Sequence, residues 1–217
     1  GEGHQLGVLV IHDIFGFNIP NSKYIADHFA ANGFISLLPN LYQGISSLDG
    51  WPCTEFESEP EEGDKWDSWW TEITTDGYWT PFHLRVEACI RFLKEEKGCK
   101  ACCLIGFCWG GIAIEQLSTK GLFVEAASVH GCHEGTANFL EAKARGCNIT
   151  YHTVPEDECF AVDVQNALQQ AGASVTVYPG MEHGFAVRGD FTGNLALREA
   201  ADKCLTDVVT QFLKTSG

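Results

Sequence analysis

Gly106-Phe107-Cys108-Trp109-Gly110-Gly111 follows directly on an apolar run, Cys102-Cys103-Leu104-Ile105, and precedes a helix-like stretch from Ile112 to Ser118. A strand, a tight turn and a helix with a nucleophile at the apex make a nucleophile elbow, here with sulfur in place of the usual serine oxygen. The glycines matter sterically. The apex residue takes a strained backbone conformation, and only minimal side chains beside it let strand and helix approach so closely. The following helix points its N-terminus at Cys108, which favours the thiolate. The competing reading is a buried structural cysteine beside a helix-start glycine pair.

Outward from the elbow the chain alternates between strands and helices. Gly7 to His12 and Phe34 to Leu38 read as strands on either side of a helix from Asn21 to Ala31, stopped by Asn32-Gly33. Further strands are expected at Lys100 to Phe107, Val124 to His130, Asn148 to Val154 and Ser174 to Tyr178. Helices are expected at Phe82 to Glu96, Gly110 to Lys120, Thr136 to Ala144, Ala161 to Ala171 and Leu195 to Lys214. This alternation implies an α/β fold, a mostly parallel sheet with helices on both faces, in three layers. Residues 1–217 read as one domain. An insert at about 42–80 breaks the rhythm. It carries Glu55, Glu57, Glu59, Glu61, Glu62, Asp64 and Asp67 among Trp51, Trp66, Trp69, Trp70 and Trp79. So many tryptophans need apolar surface, so the insert reads as a cap over a site rather than a solvated acidic loop.

Composition narrows the function. Apolar residues make up 45% and charged residues 20%, as in an ordinary globular chain. The net charge of −15 argues against nucleic acid and anionic membranes as partners. No apolar run approaches the roughly 20 residues of a membrane span, and no secretory signal is legible. The chain opens almost directly in a strand, which leads us to expect a missing upstream piece. The ten cysteines are scattered without the spacing of a disulfide scaffold, so a reducing, cytoplasmic location is expected. Cys99-Lys100-Ala101-Cys102 has C-x-x-C form but opens a strand, unlike a redox pair at a helix start. His130, Cys132 and His133 lack a second well-spaced pair and read as strand-end pocket residues; neither a metal nor a cofactor is expected.

A thiol nucleophile needs a base, and the base needs a group that fixes its tautomer. His183 lies in the glycine-flanked loop Pro179-Gly180-Met181-Glu182-His183-Gly184-Phe185, between the last strand and the last helix. Asp157 follows the preceding strand, with Glu156 and Glu158 as rivals for the acid and helix capping as the bland alternative. Nucleophile, acid, histidine is the chain order of α/β-hydrolases. All three positions fall just after expected strands, where active sites of parallel sheets lie.

His12-Asp13-Ile14-Phe15-Gly16, the elbow, Asp157 and His183-Gly184-Phe185-Ala186-Val187-Arg188 together resemble the dienelactone hydrolase family, in particular its eukaryotic carboxymethylenebutenolidase-like members. Pro20-Asn21-Ser22-Lys23-Tyr24-Ile25-Ala26-Asp27 is also similar to theirs. The resemblance implies a Cys108, His183, Asp157 triad, with an oxyanion hole from the backbone N–H groups of Trp109 and Ile14. It further implies that Asp13 contacts the resting thiol and helps charge it, and that Arg188 binds a substrate carboxylate. Many bacterial members carry glutamate where Asp13 stands. A second substrate-binding arginine of the bacterial enzymes has no clear counterpart in the insert, and the strands that open family members ahead of Gly7 are absent.

The expected reaction is attack of the Cys108 thiolate on a small lactone or activated ester, giving a thioester that water hydrolyses with help from His183. Thiolate leaves a tetrahedral intermediate far more readily than an amine does, so amide cleavage is disfavoured; enol and phenol leaving groups compete well. An acidic rim repels anions over about 10 Å at moderate salt, which favours neutral substrates. The expected partner is therefore a small ester or lactone, and the chain is expected to be a monomer or homodimer. Two readings of other classes stand beside this: a non-catalytic binding module on a hydrolase fold, and a redox-sensing thiol protein using Cys108 with Cys159 or Cys132.

Overall fold

Six short runs pair into the sheet: β1 (Leu6–Ile11), β2 (Ile35–Leu37), β3 (Ala101–Phe107), β4 (Glu125–Val129), β5 (Asn148–Thr153) and β6 (Ser174–Val177). The computed structural model describes residues 6–17, 19–42, 71, 76–133 and 135–215. The strand order is β2-β1-β3-β4-β5-β6, and every pairing is parallel. Sequence order reverses between β1 and β3, so these two strands diverge into their loops at the topological switch point where open α/β sheets bind ligands. The β1–β3 pairing runs from Leu6 opposite Ala101 to Ile11 opposite Gly106, which delivers the ends of both strands to one place.

The helices that flank the sheet are α1 (Pro20–Ala31), α2 (Asp76–Arg91), α3 (Gly110–Ser118), α4 (Ala137–Ala144), α5 (Val162–Gln170) and α6 (Leu195–Lys214). The period of two along β1 sends successive side chains to opposite faces. Leu9 and Ile11 join the core that includes Phe82 and Val86 of α2, Ile114 of α3, Phe139 of α4 and Leu168 of α5. Val8 and Val10 join the core formed with Ile25 and Phe29 of α1 and with Leu205, Val208 and Phe212 of α6. The result is the expected three-layer α/β-hydrolase sandwich, with α1 and α6 on one face and α2 to α5 on the other.

The helix expected from Phe82 begins earlier, at Asp76, and carries Pro81 in its interior. Proline favours the first helical turn, which placed the expected start too late. Tyr78, Phe82 and Val86 lie four residues apart and are all buried against the core, so tertiary packing outweighs the local cost of the proline. The helix closes through a π-helical turn over Phe92–Glu96. Apart from Thr71, the insert between residues 43 and 75 lies outside the described residues. Its last part, 76–80, is helix rather than loop. Among the described residues no helix is long and apolar enough to cross a membrane.

Candidate active site

Cys108 sits between β3 and α3 with φ of 57°, the left-handed backbone that a side chain adopts only under constraint. Two glycines allow it. A Cβ on Gly106 would lie 2.7 Å from the carbonyl oxygen of Gly110, and one on Gly111 would lie 2.6 Å from the Cα of Gly131. The Cys108 carbonyl accepts from the N–H groups of Gly111 (2.8 Å) and Cys132 (3.1 Å), which locks the turn. Two further non-glycine residues with positive φ, His130 and Glu156, stand just after β4 and in the loop after β5. Backbone strain thus gathers at the same end of three neighbouring strands, as it does at functional sites.

Under the elbow, Trp109 is 1% exposed and packs among Tyr42, Tyr78, Trp79, Phe82 and His12, with ring centroids 5.7–6.3 Å away. Tyr42 and Trp79, at the two ends of the insert, therefore both pack on the residue after Cys108. The sequence carried no signal for this cluster beyond aromatic content.

His183 Nδ1 donates to both carboxylate oxygens of Asp157, at 3.0 and 3.1 Å. Asp157 also accepts from the N–H of Cys159 at 3.0 Å and is buried, while Glu156 and Glu158 are exposed. This pairing separates Asp157 from its two rivals. Burial pushes the Asp157 carboxyl up, but the His183 hydrogen bond and charge outweigh it and hold the group below its ordinary range. Burial likewise pulls the His183 imidazole down, yet its bonds with Asp157 and Cys108 and their charges raise it to about 10. The Cys108 thiol lies well below its ordinary value: a hydrogen bond from Cys132 acts most strongly, burial opposes it, and His183 and the Arg188 cation add to it. Both shifts favour a thiolate beside an imidazolium.

The buried Asp13 carboxylate accepts from the Phe15 N–H at 2.8 Å and from Arg188 Nε at 2.7 Å. Arg188 Nη2 donates to the Cys108 sulfur at 3.3 Å, and its guanidinium lies over the Phe15 ring, 4.7 Å from the centroid. Arg188 thus stands between Asp13 and the thiol. Burial and the neighbouring Cys108 charge raise the Asp13 carboxyl to about 6 despite the Arg188 cation. The backbone N–H groups of Ile14 and Trp109 donate to no acceptor among the described residues.

Two residues read in the sequence as strand-end pocket residues lie near the site. His130 is fully buried, its ring 5.1 Å from that of His183, and neither of its nitrogens has a hydrogen-bond partner among the described residues. His133, on the loop that carries Cys132, bridges Ser128 Oγ of β4 (2.7 Å) and Glu115 Oε1 of α3 (2.9 Å), a buried chain of hydroxyl, imidazole and carboxylate. The donor atoms of Asp157, Cys159 and His183 lie within 4.8 Å of one another, and those of Asp157 and His183 are bonded to each other. One cavity, of about 510 Å³, is bordered by the His183 loop, Arg188 and the start of α6. A second, of about 670 Å³, is bordered by Cys132, His133 and Cys159. The C-x-x-C thiols differ from Cys108: burial raises both, Cys102 to about 11.

Comparison with known proteins agrees with this architecture. The chain is similar to the carboxymethylenebutenolidase homologue of Rattus norvegicus, 30% identical over 190 residues that cover 83% of this chain and 71% of that one. It is similar to the homologue of Pongo abelii, 30% identical over 137 residues that cover 63% of this chain and only about half, 51%, of that protein. Its fold is similar to that of a dienelactone hydrolase-like promiscuous phosphotriesterase from metagenomic libraries, with a TM-score of 0.65 at 15% identity, covering 95% of this chain and 88% of that one. Residues 2–216 match the profile of the dienelactone hydrolase family, and the chain belongs to that family.

Proposed function

We propose that this protein is a cysteine hydrolase of small lactones and activated carboxylic esters, acting through a thioester on Cys108. The observation that carries the reading is the strained Cys108 turn, backed by the α3 N-terminus, beside a His183 imidazole that Asp157 holds at 3.0 Å. Cys159 also lies near His183, but it does not have the strained backbone of the apex. The names of the relatives, carboxymethylenebutenolidase homologues, support a lactone as the natural chemistry.

In the mechanism, the thiolate attacks the carbonyl carbon while the Ile14 and Trp109 N–H groups receive the developing oxyanion, each such donor lowering the barrier by about 3–4 kcal/mol. The His183 imidazolium gives its proton to the departing enol or phenol oxygen. Neutral His183, its tautomer set by Asp157, then takes a proton from water, which hydrolyses the thioester and returns the thiolate. The reading includes a monomer or homodimer in a reducing compartment such as the cytoplasm, where the nine described cysteines, all free, stay reduced. Because Arg188 is engaged by Asp13 and Cys108, we expect neutral lactones to be hydrolysed at least as well as their carboxylate-bearing analogues.

The test is hydrolysis of an aryl ester and of a lactone with and without a free acid group. Cys108→Ala should lower kcat/KM by about 10³-fold or more, with an acyl group on Cys108 detectable by mass spectrometry in the unsubstituted enzyme. Full activity in Cys108→Ala sinks the cysteine mechanism. A strong preference for the acid lactone that Arg188→Ala abolishes sinks the proposal of neutral substrates.

A further inference from the structure

Cys108 has sulfur neighbours that the hydrolytic steps do not use. Cys132 follows β4 and Cys159 follows β5, so the parallel sheet lines up three cysteines along its C-terminal edge. Cys132 lies within electrostatic reach of Cys108 on one side and of Cys159 on the other. The backbone repeats the arrangement. Cys132 N–H donates to the Cys108 carbonyl at 3.1 Å, and His133 N–H donates to the Cys159 carbonyl at 2.9 Å. The Ser128, His133, Glu115 chain fastens the loop between them. The row also runs outward: Cys108 is 5% exposed, whereas Cys132 and Cys159 are half-buried and border the 670 Å³ cavity.

We propose that Cys108, Cys132 and Cys159 form an oxidation relay, which moves a hydroperoxide's oxidising equivalents off the nucleophile and leaves them as a Cys132–Cys159 disulfide at the cleft. It rests on Cys108 being the reactive thiol of the proposed hydrolase. The Cys108 thiolate attacks one peroxide oxygen: an S–O bond forms, the O–O bond breaks, and the alcohol or water leaves with the His183 proton. The sulfur is oxidised by two electrons to sulfenic acid and the peroxide is reduced. Cys132 sulfur then attacks Cys108 sulfur, an S–S bond forms, and the hydroxide departs as water with the Cys132 proton. Cys159, losing its proton to His183, attacks Cys132 sulfur and Cys108 leaves as thiolate. The sum is one hydroperoxide and two thiols converted to one alcohol, one water and one disulfide, with Cys108 and His183 back in their starting states. The electrostatics run the same way. Cys132 acts most strongly in lowering the Cys108 and Cys159 thiols, and those two neighbours raise Cys132, so the proton rests on Cys132.

The experiment treats the full chain with stoichiometric hydrogen peroxide, maps cysteine peptides without reduction, and follows aryl-ester hydrolysis relative to each variant's own untreated rate. The unsubstituted protein should form the Cys132–Cys159 disulfide and keep most of its activity. Cys159→Ser should stop at a Cys108–Cys132 disulfide, with activity lost and restored by dithiothreitol. Cys132→Ser, and Cys132→Ala as a second replacement, should form neither disulfide and should lose activity, with Cys108 at sulfenic acid after the first equivalent and carried irreversibly to sulfinic acid by a second. Cys108→Ser should leave Cys132 and Cys159 reduced. Sulfinic Cys108 with free Cys132 and Cys159 in the unsubstituted protein would overturn the relay, as would the outer disulfide forming equally well in Cys108→Ser. The peptide map reads the relay independently of turnover, so a protein that shows the disulfides yet hydrolyses no ester rejects the hydrolase reading alone.

Discussion

The guanidinium of Arg188 touches the sulfur of Cys108: Nη2 lies 3.3 Å from Sγ, while Nε of the same side chain lies 2.7 Å from the Asp13 carboxylate. A single cation therefore serves two anionic groups, one on the β1 loop and one at the elbow. The resemblance implied direct contact of Asp13 with the thiol and of Arg188 with substrate. The geometry couples all three.

Arg188→Ala should make the thiol less acidic, because a cation beside a thiolate favours the charged form. The alkylation of Cys108 by iodoacetamide should shift to higher pH by about 1 unit or more, and Arg188→Lys should recover part of it. An unchanged alkylation profile, with only the KM of acid-bearing lactones raised, would assign Arg188 to substrate alone.

Asp13 titrates in the working range. Burial and the Cys108 charge raise it to about 6, and its charged form raises the Cys108 thiol in return. The alkylation rate of Cys108 should carry an inflection near pH 6 that Asp13→Asn removes. Persistence of that inflection in the variant would place the titrating group elsewhere.

Cys108 and His183 oppose each other in the pH dependence of stability. The imidazole, raised from 6.5 to about 10, stabilises the fold fully below pH 6.5 and loses that contribution as pH rises through about 10. The thiol, depressed well below 9, stabilises above pH 9 and loses its contribution as pH falls through its folded value. Below pH 9 and above pH 6.5 the two contributions run in opposite directions as pH changes. Cys108→Ser removes the thiol while Asp157 still raises His183, so its melting temperature relative to the unsubstituted protein should fall as pH rises across that window. A flat difference curve refutes the ion pair.

Gly111→Ala should damage the elbow, since the new Cβ would meet backbone at 2.6 Å (Gly131 Cα) and 2.8 Å (Cys132 N). Overpacking of this kind costs about 1–3 kcal/mol, and each kcal/mol lowers the melting temperature of a chain of this size by roughly 2–4 °C. Both the alkylation rate of Cys108 and its coupling to Cys132 should suffer. Normal melting would mean that the β4 loop yields freely, contrary to the bonds that fasten it.

How much of this was legible in advance follows from which interactions are local. The layer order, the six strands and the positions of Cys108, Asp157 and His183 after strand ends were readable, because apolar runs, turn glycines and chain order are one-dimensional signals. The start of α2 was misjudged because Pro81 is a local feature, and the burial of Tyr78 and Phe82 against Trp109 is a distant one. Spacing alone could not tell Asp157 from Glu156 and Glu158; the resemblance pointed to Asp157, and the folded path of the loop is what sets it, and neither neighbour, against His183.

By itself, the amino-acid sequence determined the α/β architecture, the family and the Cys108 turn, since hydrophobic period and minimal side chains dictate backbone path locally. Only the tertiary structure decided what surrounds the sulfur: Arg188 shared with Asp13, and Cys132 and Cys159 in a row beside it. Those neighbours come from loops far apart in the chain. It is the parallel register of β1, β3, β4 and β5, settled by packing of both sheet faces, that brings the loops to one edge.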